Sequence, residues 1–330
     1  MPATPNKTLN KRRKNMLKNK RLKGIIILFI MIIASLCSSI NCLAYQNQND
    51  REKINCEQMG GIIEANLETG EIQEKTYQEV FANLRTTYNQ ITHTEPYYPT
   101  NDNEISPNVI IGDSDDREPA SIAQICVIEI TWNDGCTSYG TAFMIGPNLA
   151  ATSGHCVYQY HARTNHDAHG LAKSIRVIPG KSGSSEPYGS AYATSVVYEN
   201  NWRDYGDIKE DWGLLILNSN IGNSCGYMGF AYSNDYSWWN NKYVTVTGYP
   251  TPPLRGWTQW THREQVKYGR DLYMIYAVDT ESGQSGSPVI EDGTGYAIGI
   301  HHGEDTIEGT GYNLGINITK ARFNTFLSYR

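Results

Sequence analysis

Thr280-Glu281-Ser282-Gly283-Gln284-Ser285-Gly286-Ser287-Pro288 is the stretch that decides the fold. A serine hydroxyl is a weak nucleophile. It needs a tight turn that exposes Oγ, backbone N–H groups aimed at the oxyanion that forms, and an imidazole to take its proton. Gly283 and Gly286 flank Ser285 and permit such a turn, and the N–H groups of Gly283 and Ser285 can converge on one point. A Gly-rich turn containing serine is by itself more often a plain loop. Two other segments change that reading: Thr152-Ser153-Gly154-His155-Cys156-Val157 and Asp211-Trp212-Gly213-Leu214-Leu215-Ile216-Leu217. His155 becomes the candidate general base and Asp211 the carboxylate that orients it. The rivals of Asp211 are Asp204 and Asp207, but Asp211 stands immediately before an apolar strand that can bury it. His161, His166 and His169 lie in a polar loop and read as solvated.

Histidine, aspartate and serine in that chain order resemble the chymotrypsin-type proteases, and the resemblance extends to their glutamyl endopeptidase (V8-like) branch. It covers about Val109 to the C-terminus and rests on Val109-Ile110-Ile111-Gly112-Asp113, Gly154-His155-Cys156-Val157-Tyr158, Gly248-Tyr249-Pro250, Gly283-Gln284-Ser285-Gly286-Ser287 and Gly299-Ile300-His301. Several short matches in order are more specific than any one of them. The family implies an all-β, chymotrypsin-like double β-barrel with the site between the barrels and a C-terminal α-helix. It implies a serine endopeptidase working through an acyl-enzyme; related bacillary enzymes can bind calcium, but no EF-hand spacing is present here, and no cofactor is expected.

The chain has 330 residues, 39% of them hydrophobic, enough for a sizeable core. Its net charge of −6 hides an asymmetry: residues 1–24 hold nine Lys/Arg and no acid, which leaves 19 basic against 34 acidic residues in the remainder. An acidic body argues against nucleic acid as a partner. The basic run is followed by the apolar Ile25–Ala34 and by small residues ending at Cys42-Leu43-Ala44. A charged, then apolar, then small-residue pattern describes a secretory signal over residues 1–44, the apolar run being short for a spanning helix. The expected product is secreted and monomeric, acts on protein or peptide substrates, and has no stable membrane association after cleavage. The alternative is a retained membrane anchor.

Residues 45–108 are polar, have little period-2 alternation and read as a pro-segment, the alternative being a disordered extension without function. The resemblance places the mature N-terminus at Val109, with its amine near the substrate carboxylate. Asn108 precedes it, so self-cleavage after an acid would fall at Glu104–Ile105 and final trimming would need another protease. From about residue 121 short β-branched runs recur: 126–131, 140–145, 174–178, 195–198, 214–217, then 243–247, 273–278, 287–290 and 296–300. These give a first barrel over 109–225 and a second over 226–330, with the boundary near Asn218–Tyr232. At the C-terminus Thr319 can cap a helix, Ile318 and Phe323 form a hydrophobic staple, and Phe323, Phe326 and Leu327 share a face ready to pack on the second barrel.

Of seven cysteines, Cys37 and Cys42 leave with the signal and Cys56 lies in the pro-segment. The resemblance implies a Cys136–Cys156 disulfide bracing His155. Cys126 and Cys225 then remain, either as a second disulfide or as free buried thiols. No C-x-x-C pair or His cluster suggests a metal.

For substrate choice the residues leave two readings. Asp279, six residues before Ser285, stands where trypsin-like enzymes bind Lys or Arg. Against it, the resemblance places Thr280 and His301 as carboxylate-binding groups of the S1 pocket, and a histidine cation with a hydroxyl suits Glu, then Asp. Gly303-Glu304 departs from the two glycines of V8 and adds an acid nearby. A catalytically inactive secreted binding protein on the same fold is the remaining alternative, although all three triad residues are present.

Overall fold

β-Branched and aromatic residues between glycine-containing turns pack well on a pleated surface and lose rotamer freedom in a helix, so such a chain settles into antiparallel hairpins. The structure, a computed structural model, describes residues 60–82, 84, 93–97, 116–160, 170–251, 256–304 and 312–330. The signal sequence, Val109, the 98–108 boundary region and the loop histidines 161, 166 and 169 lie outside the described residues.

The strands are β1 (Ile62–Asn66), β2 (Ile72–Lys75), β3 (Glu118–Ala120), β4 (Ile125–Thr131), β5 (Thr137–Met144), β6 (Leu149–Thr152), β7 (Tyr158–Gln159), β8 (Gly170–Leu171), β9 (Ser174–Pro179), β10 (Ala191–Glu199), β11 (Gly213–Leu217), β12 (Tyr243–Gly248), β13 (Gln259–Gly269), β14 (Tyr273–Tyr276), β15 (Pro288–Glu291), β16 (Ala297–Glu304) and β17 (Asn313–Asn317). Helices are short, α1 (Tyr77–Phe81), α2 (Asn200–Tyr205) and α3 (Gly222–Cys225), until α4 (Lys320–Tyr329).

Two barrels result. The first runs β11-β6-β5-β4-β9-β10 and closes through β10–β11. The second runs β12-β15-β16-β17-β14-β13 and closes through β12–β13. Closure removes the exposed edges an open sheet would present. The first barrel is filled by Ile128, Met144, Val177, Val196 and Leu215, the second by Val246, Val266, Met274, Val289 and Ile298. A third cluster, with Ile125, Phe143, Trp212, Phe230 and Phe323, fills the seam between them.

The expected strands are present, and β6, β13 and β17 complete the two barrels. β13 is long and polar, Gln-Trp-Thr-His-Arg-Glu-Gln-Val-Lys-Tyr-Gly, and buries only Gln259, His262, Val266 and Gly269, so its sequence lacks the alternation that marks a strand. The division at 225/226 also needs qualification. β3, within 109–225, is hydrogen-bonded to β13 of the second barrel.

Helix α4 begins as expected, with Thr319 Oγ1 accepting from Arg322 N at 3.3 Å and Ile318 and Phe323 in one buried cluster. Its packing differs from the expectation. Phe326 meets Trp212 of the first-barrel side at 5.5 Å between ring centroids, and Phe323 meets Phe230 and Tyr232 at 5.1 and 4.9 Å. The helix therefore closes the seam. Arg322, with a side chain only 2% exposed, pairs with Glu210 at 2.7 Å and donates to the carbonyls of Lys209 and Asn317, each at 2.6 Å.

Residues 60–82, inside the expected pro-segment, fold onto the body. β1 pairs antiparallel with β10, and β2 with β1. Ile62, Ile63 and Ala65 are fully buried. Thr76 and Glu79 form a reciprocal capping box on α1.

The expected Cys136–Cys156 disulfide is absent, and of the two readings open for Cys126 and Cys225 the structure has buried free thiols. Cys126, Cys136, Cys156 and Cys225 are free thiols. A Cβ built on Gly140 would lie 2.9 Å from Cys156 Sγ, which fixes that sulfur beside a residue four positions along the chain from the exposed Cys136. At about 3.3 Å per strand residue the two are roughly 13 Å apart along the chain, beyond the span a disulfide bridges. Cys126 and Cys225 are both buried in the first barrel's core. Burial raises Cys126 well above the ordinary thiol range, with the neighbouring Cys225 adding to it, and pushes Cys225 up to about 12.

Candidate active site

The topology explains why distant residues meet. β6 and β11 are antiparallel neighbours with Gly213 opposite Thr152. His155, three residues beyond the end of β6, and Asp211, two before the start of β11, therefore emerge at the same end of the first barrel. In the second barrel Pro288 of β15 lies opposite Ile300 of β16, so the turn carrying Ser285 adjoins His301 and His302.

Asp211 is fully buried. Its Oδ1 accepts from His155 N at 2.6 Å, and its Oδ2 lies 2.7 Å from His155 Nδ1. This fixes the ring and directs Nε2 away from the carboxylate. Asp204 instead pairs with Arg203 at 2.6 Å, and Asp207 caps a turn by accepting from Lys209 N at 3.1 Å. His302 was not anticipated: its Nδ1 lies 2.5 Å from the same Asp211 Oδ2. Two imidazoles and one backbone N–H thus converge on one carboxylate. His302 adjoins His301 in a strand whose alternation gives no hint of a polar contact across to the other barrel.

Burial opposes ionisation of Asp211, but His155 and His302 outweigh it and hold the carboxyl well below its usual range. Burial likewise opposes the His155 cation, and the Asp211 carboxylate overcomes that opposition and raises the imidazole well above its ordinary value of 6.5. A base must be neutral to accept a proton, so a raised value widens the acid range in which His155 is blocked. The acid limb of a kcat/KM profile is expected above pH 6.5. A pH–rate measurement on a neutral peptide substrate checks this; a limb at or below that value contradicts it.

The Ser285 turn requires its glycines. Gly283 has φ 96° and Gly286 φ 87°. A Cβ on Gly286 would lie 2.1 Å from Thr141 O, and one on Gly283 would lie 2.6 Å from Tyr249 O. Ser285 Oγ donates to His302 O at 3.2 Å. No hydrogen bond joins it to the His155 ring among the described residues, a looseness common before substrate binds. The barrels are pinned together at this point. Thr141 of β5 donates its N–H to Ser285 O at 2.9 Å and its hydroxyl to Gly283 O at 2.8 Å. Ser153 Oγ donates to His301 O at 2.9 Å.

Ser285 opens onto a cleft of about 250 Å³ lined by Thr280, Ser282, His301, Glu304 and Asn313, with Glu281 at its wall. Thr280 and His301 are therefore brought together beside Ser285. His301 differs in charge. It is 1% exposed, and burial, assisted by the neighbouring His302 and His155, pushes it down to about 3. This favours the neutral ring over the expected cation. Its Nδ1 lies 2.9 Å from Tyr276 Oη; with the tyrosine hydroxyl donating there, Nε2–H is the donor left for a ligand. Glu281 is offset by Arg117 at 2.8 Å. Asp279 is not among the cleft residues: its Oδ2 accepts from Asp116 N at 3.1 Å and lies 3.7 Å from His262 Nδ1. His155, Asp211 and His302 also have ligand atoms close enough to hold a metal ion, as do Asp116, His262 and Asp279. The hydrogen bonds already described account for the first group; in the second, Asp116 Oδ1 is buried without a hydrogen-bond partner.

A double β-barrel with a buried aspartate on a histidine ring and a serine turn facing them across the seam defines the chymotrypsin class of serine hydrolase architecture. Residues 115–327 match the trypsin family, and the chain belongs to it. The sequence is 35% identical over 196 residues to the glutamyl endopeptidase of Bacillus licheniformis, covering 58% of this chain and 59% of that protein. It is 34% identical over 201 residues to a Bacillus subtilis protein named extracellular metalloprotease, covering 60% of each. The chain thus spans about 60% of the length of these curated relatives. A solved Glu endopeptidase in complex with MPD matches with TM-score 0.56 and 24% identity over 67% of this chain and 98% of that one. The protease Anisep of Arthrobacter nicotinovorans matches with TM-score 0.54 and 15% identity over 64% and 98%. These likenesses support the fold.

Proposed function

We propose that the protein is a secreted serine endopeptidase, made as a precursor, that hydrolyses peptide bonds after Glu and secondarily Asp. The observation that carries the reading is the fully buried Asp211 clamped on His155 by two hydrogen bonds, at the seam where the Ser285 turn enters. In this mechanism His155 takes the Ser285 proton as Oγ attacks the scissile carbonyl, and Asp211 stabilises the imidazolium that forms. The oxyanion is received by Gly283 N and Ser285 N, for which no acceptor exists among the described residues. His155 returns the proton to the leaving amine, and water then attacks the acyl-enzyme by the same route in reverse.

The acid preference is supported by Thr280 and the Nε2–H of His301 in the cleft, as hydrogen-bond donors to a carboxylate, and by the name of the B. licheniformis relative. A neutral His301 makes this recognition by hydrogen bonding and shape rather than by charge. The trypsin-like reading loses support because Asp279 is engaged with Asp116 and His262 outside the cleft. Export is supported by the basic-then-apolar N-terminus. Among the described residues no helix is long and apolar enough to cross a membrane.

Digestion of a peptide library by the processed protein, read by mass spectrometry, tests the reading. Cuts are expected chiefly after Glu. Cuts chiefly after Lys or Arg would overturn the specificity, and an intact library would favour the inactive binding protein.

A further inference from the structure

β10 is a strand with an incomplete neighbour. On one side it is paired with β11 over residues 193–198. On the other it meets β9 at only two positions, Ala191 with Val177 and Tyr192 with Arg176. The rest of that edge, Ser195 to Glu199, is paired residue by residue with β1, Asn66 to Ile62. Without β1 the barrel would carry five residues of unpaired backbone at its seam, an unprotected edge of the kind that seeks another strand.

The donated segment is held by side chains as well as by its ladder. Ile63 and Ala65 enter the first barrel's core, and Ile62, Tyr77 and Val80 enter the seam cluster with α4. Tyr77 Oη donates to the buried carboxyl of Glu199. Glu64 pairs with Lys75 at 2.5 Å and accepts from Tyr329 Oη at 2.8 Å. Further along, Tyr97 and Tyr227 exchange two backbone hydrogen bonds of 2.8 Å and stack at 4.9 Å. Thr94 N donates to Phe230 O at 2.9 Å. Gly229 admits this approach, since a Cβ there would lie 2.3 Å from Thr94 O. None of these residues lines the cleft beside Ser285.

We infer that residues 60–97 are a strand-donating partner of the protease body. The segment completes the first barrel and stays bound as a noncovalent subunit after the chain is cut between residues 98 and 115. Its described residues do not line the cleft. The binding mode is strand addition reinforced by pockets for alternate side chains. The inference rests on the precursor reading only for the cut itself, so the test supplies the cut independently.

A recognition sequence for a site-specific protease, inserted between Asn101 and Glu104, is cleaved in the exported chain, followed by size-exclusion chromatography and intact-mass analysis. The 60–97 piece is expected to co-elute with the body and to separate only in denaturant that unfolds the body. The same cut in an Ile63→Asp chain is expected to release the piece and to lower the body's Tm by about 10 °C or more. Synthetic 60–97 peptide added to the released body should restore the Tm. Release of the wild-type piece from a body that keeps its fold and Tm would overturn the inference. If chains processed by the producing cells prove uncut between 98 and 115, the precursor reading fails while the outcome of the engineered cut still decides the docking.

Discussion

Replacing Ser285 by alanine should lower kcat for peptide hydrolysis by about 10⁶-fold, with the Tm essentially unchanged. The size follows from the division of labour in the cleft. In the proposed mechanism the hydroxyl oxygen forms the acyl-enzyme, and neither His302 O, which accepts its hydrogen bond in the resting structure, nor the two converging N–H groups can replace it. Residual activity would come from carbonyl polarisation and substrate positioning alone. The Tm should hold because the turn's shape depends on Gly283 and Gly286 and on the bonds from Thr141 to backbone oxygens, none of which alanine disturbs. Burst kinetics with an activated ester separate acylation from binding. A variant retaining more than about a hundredth of wild-type kcat would remove Ser285 from the nucleophile role.

Asp211→Asn should reduce kcat by about 10⁴-fold. The carboxylate accepts from two rings and a backbone N–H, and an amide offers one acceptor oxygen in place of two. Its NH₂ would face a donor, so His155 would turn or take the other tautomer. The pH profile gives a second signature. The Asp211 charge opposes burial and raises His155, so its removal leaves burial in control and moves the residual acid limb to lower pH. A fall in kcat without that movement would mean the carboxylate acts on structure rather than on the charge of the base. The variant also keeps His302 beside an altered side chain, so loss of the shared oxygen should be visible in the imidazole proton shifts by NMR.

Much of the site was legible because it depends on local backbone chemistry. The Ser285 turn is marked by its glycines, and their positive φ values and close contacts give the reason. His155 and Asp211 were legible because each adjoins a short apolar strand. Other features depend on contacts that no local pattern encodes. His302 reaches Asp211 across the seam. Burial and two other imidazoles act against a charge on His301, and a sequence displays neither. The Cys136–Cys156 disulfide fails because of which residue of β5 faces the sulfur. The Ile62-Ile63 hairpin was missed because its strands are four and five residues long in a polar neighbourhood. Its traces were present: a Glu68-Thr69-Gly70 turn between two isoleucine-containing runs, and Thr76 three residues before Glu79.

Thr141 gives the seam a mechanical meaning. One threonine on a first-barrel strand gives its N–H and its hydroxyl to the loop that carries the attacking oxygen, while the imidazole and its carboxylate ride on that same first barrel. The spacing between the two halves of the chemistry is thus gauged by bonds of about 3 Å reach, those of Thr141 joined by Ser153 on His301 O and Asp211 on His302, and not by a long hinge. Either barrel could keep its own fold while the pair drifted apart by less than an ångström, and the machinery would already be out of register. The arrangement gives up breathing room between its halves for alignment of the residues that meet there.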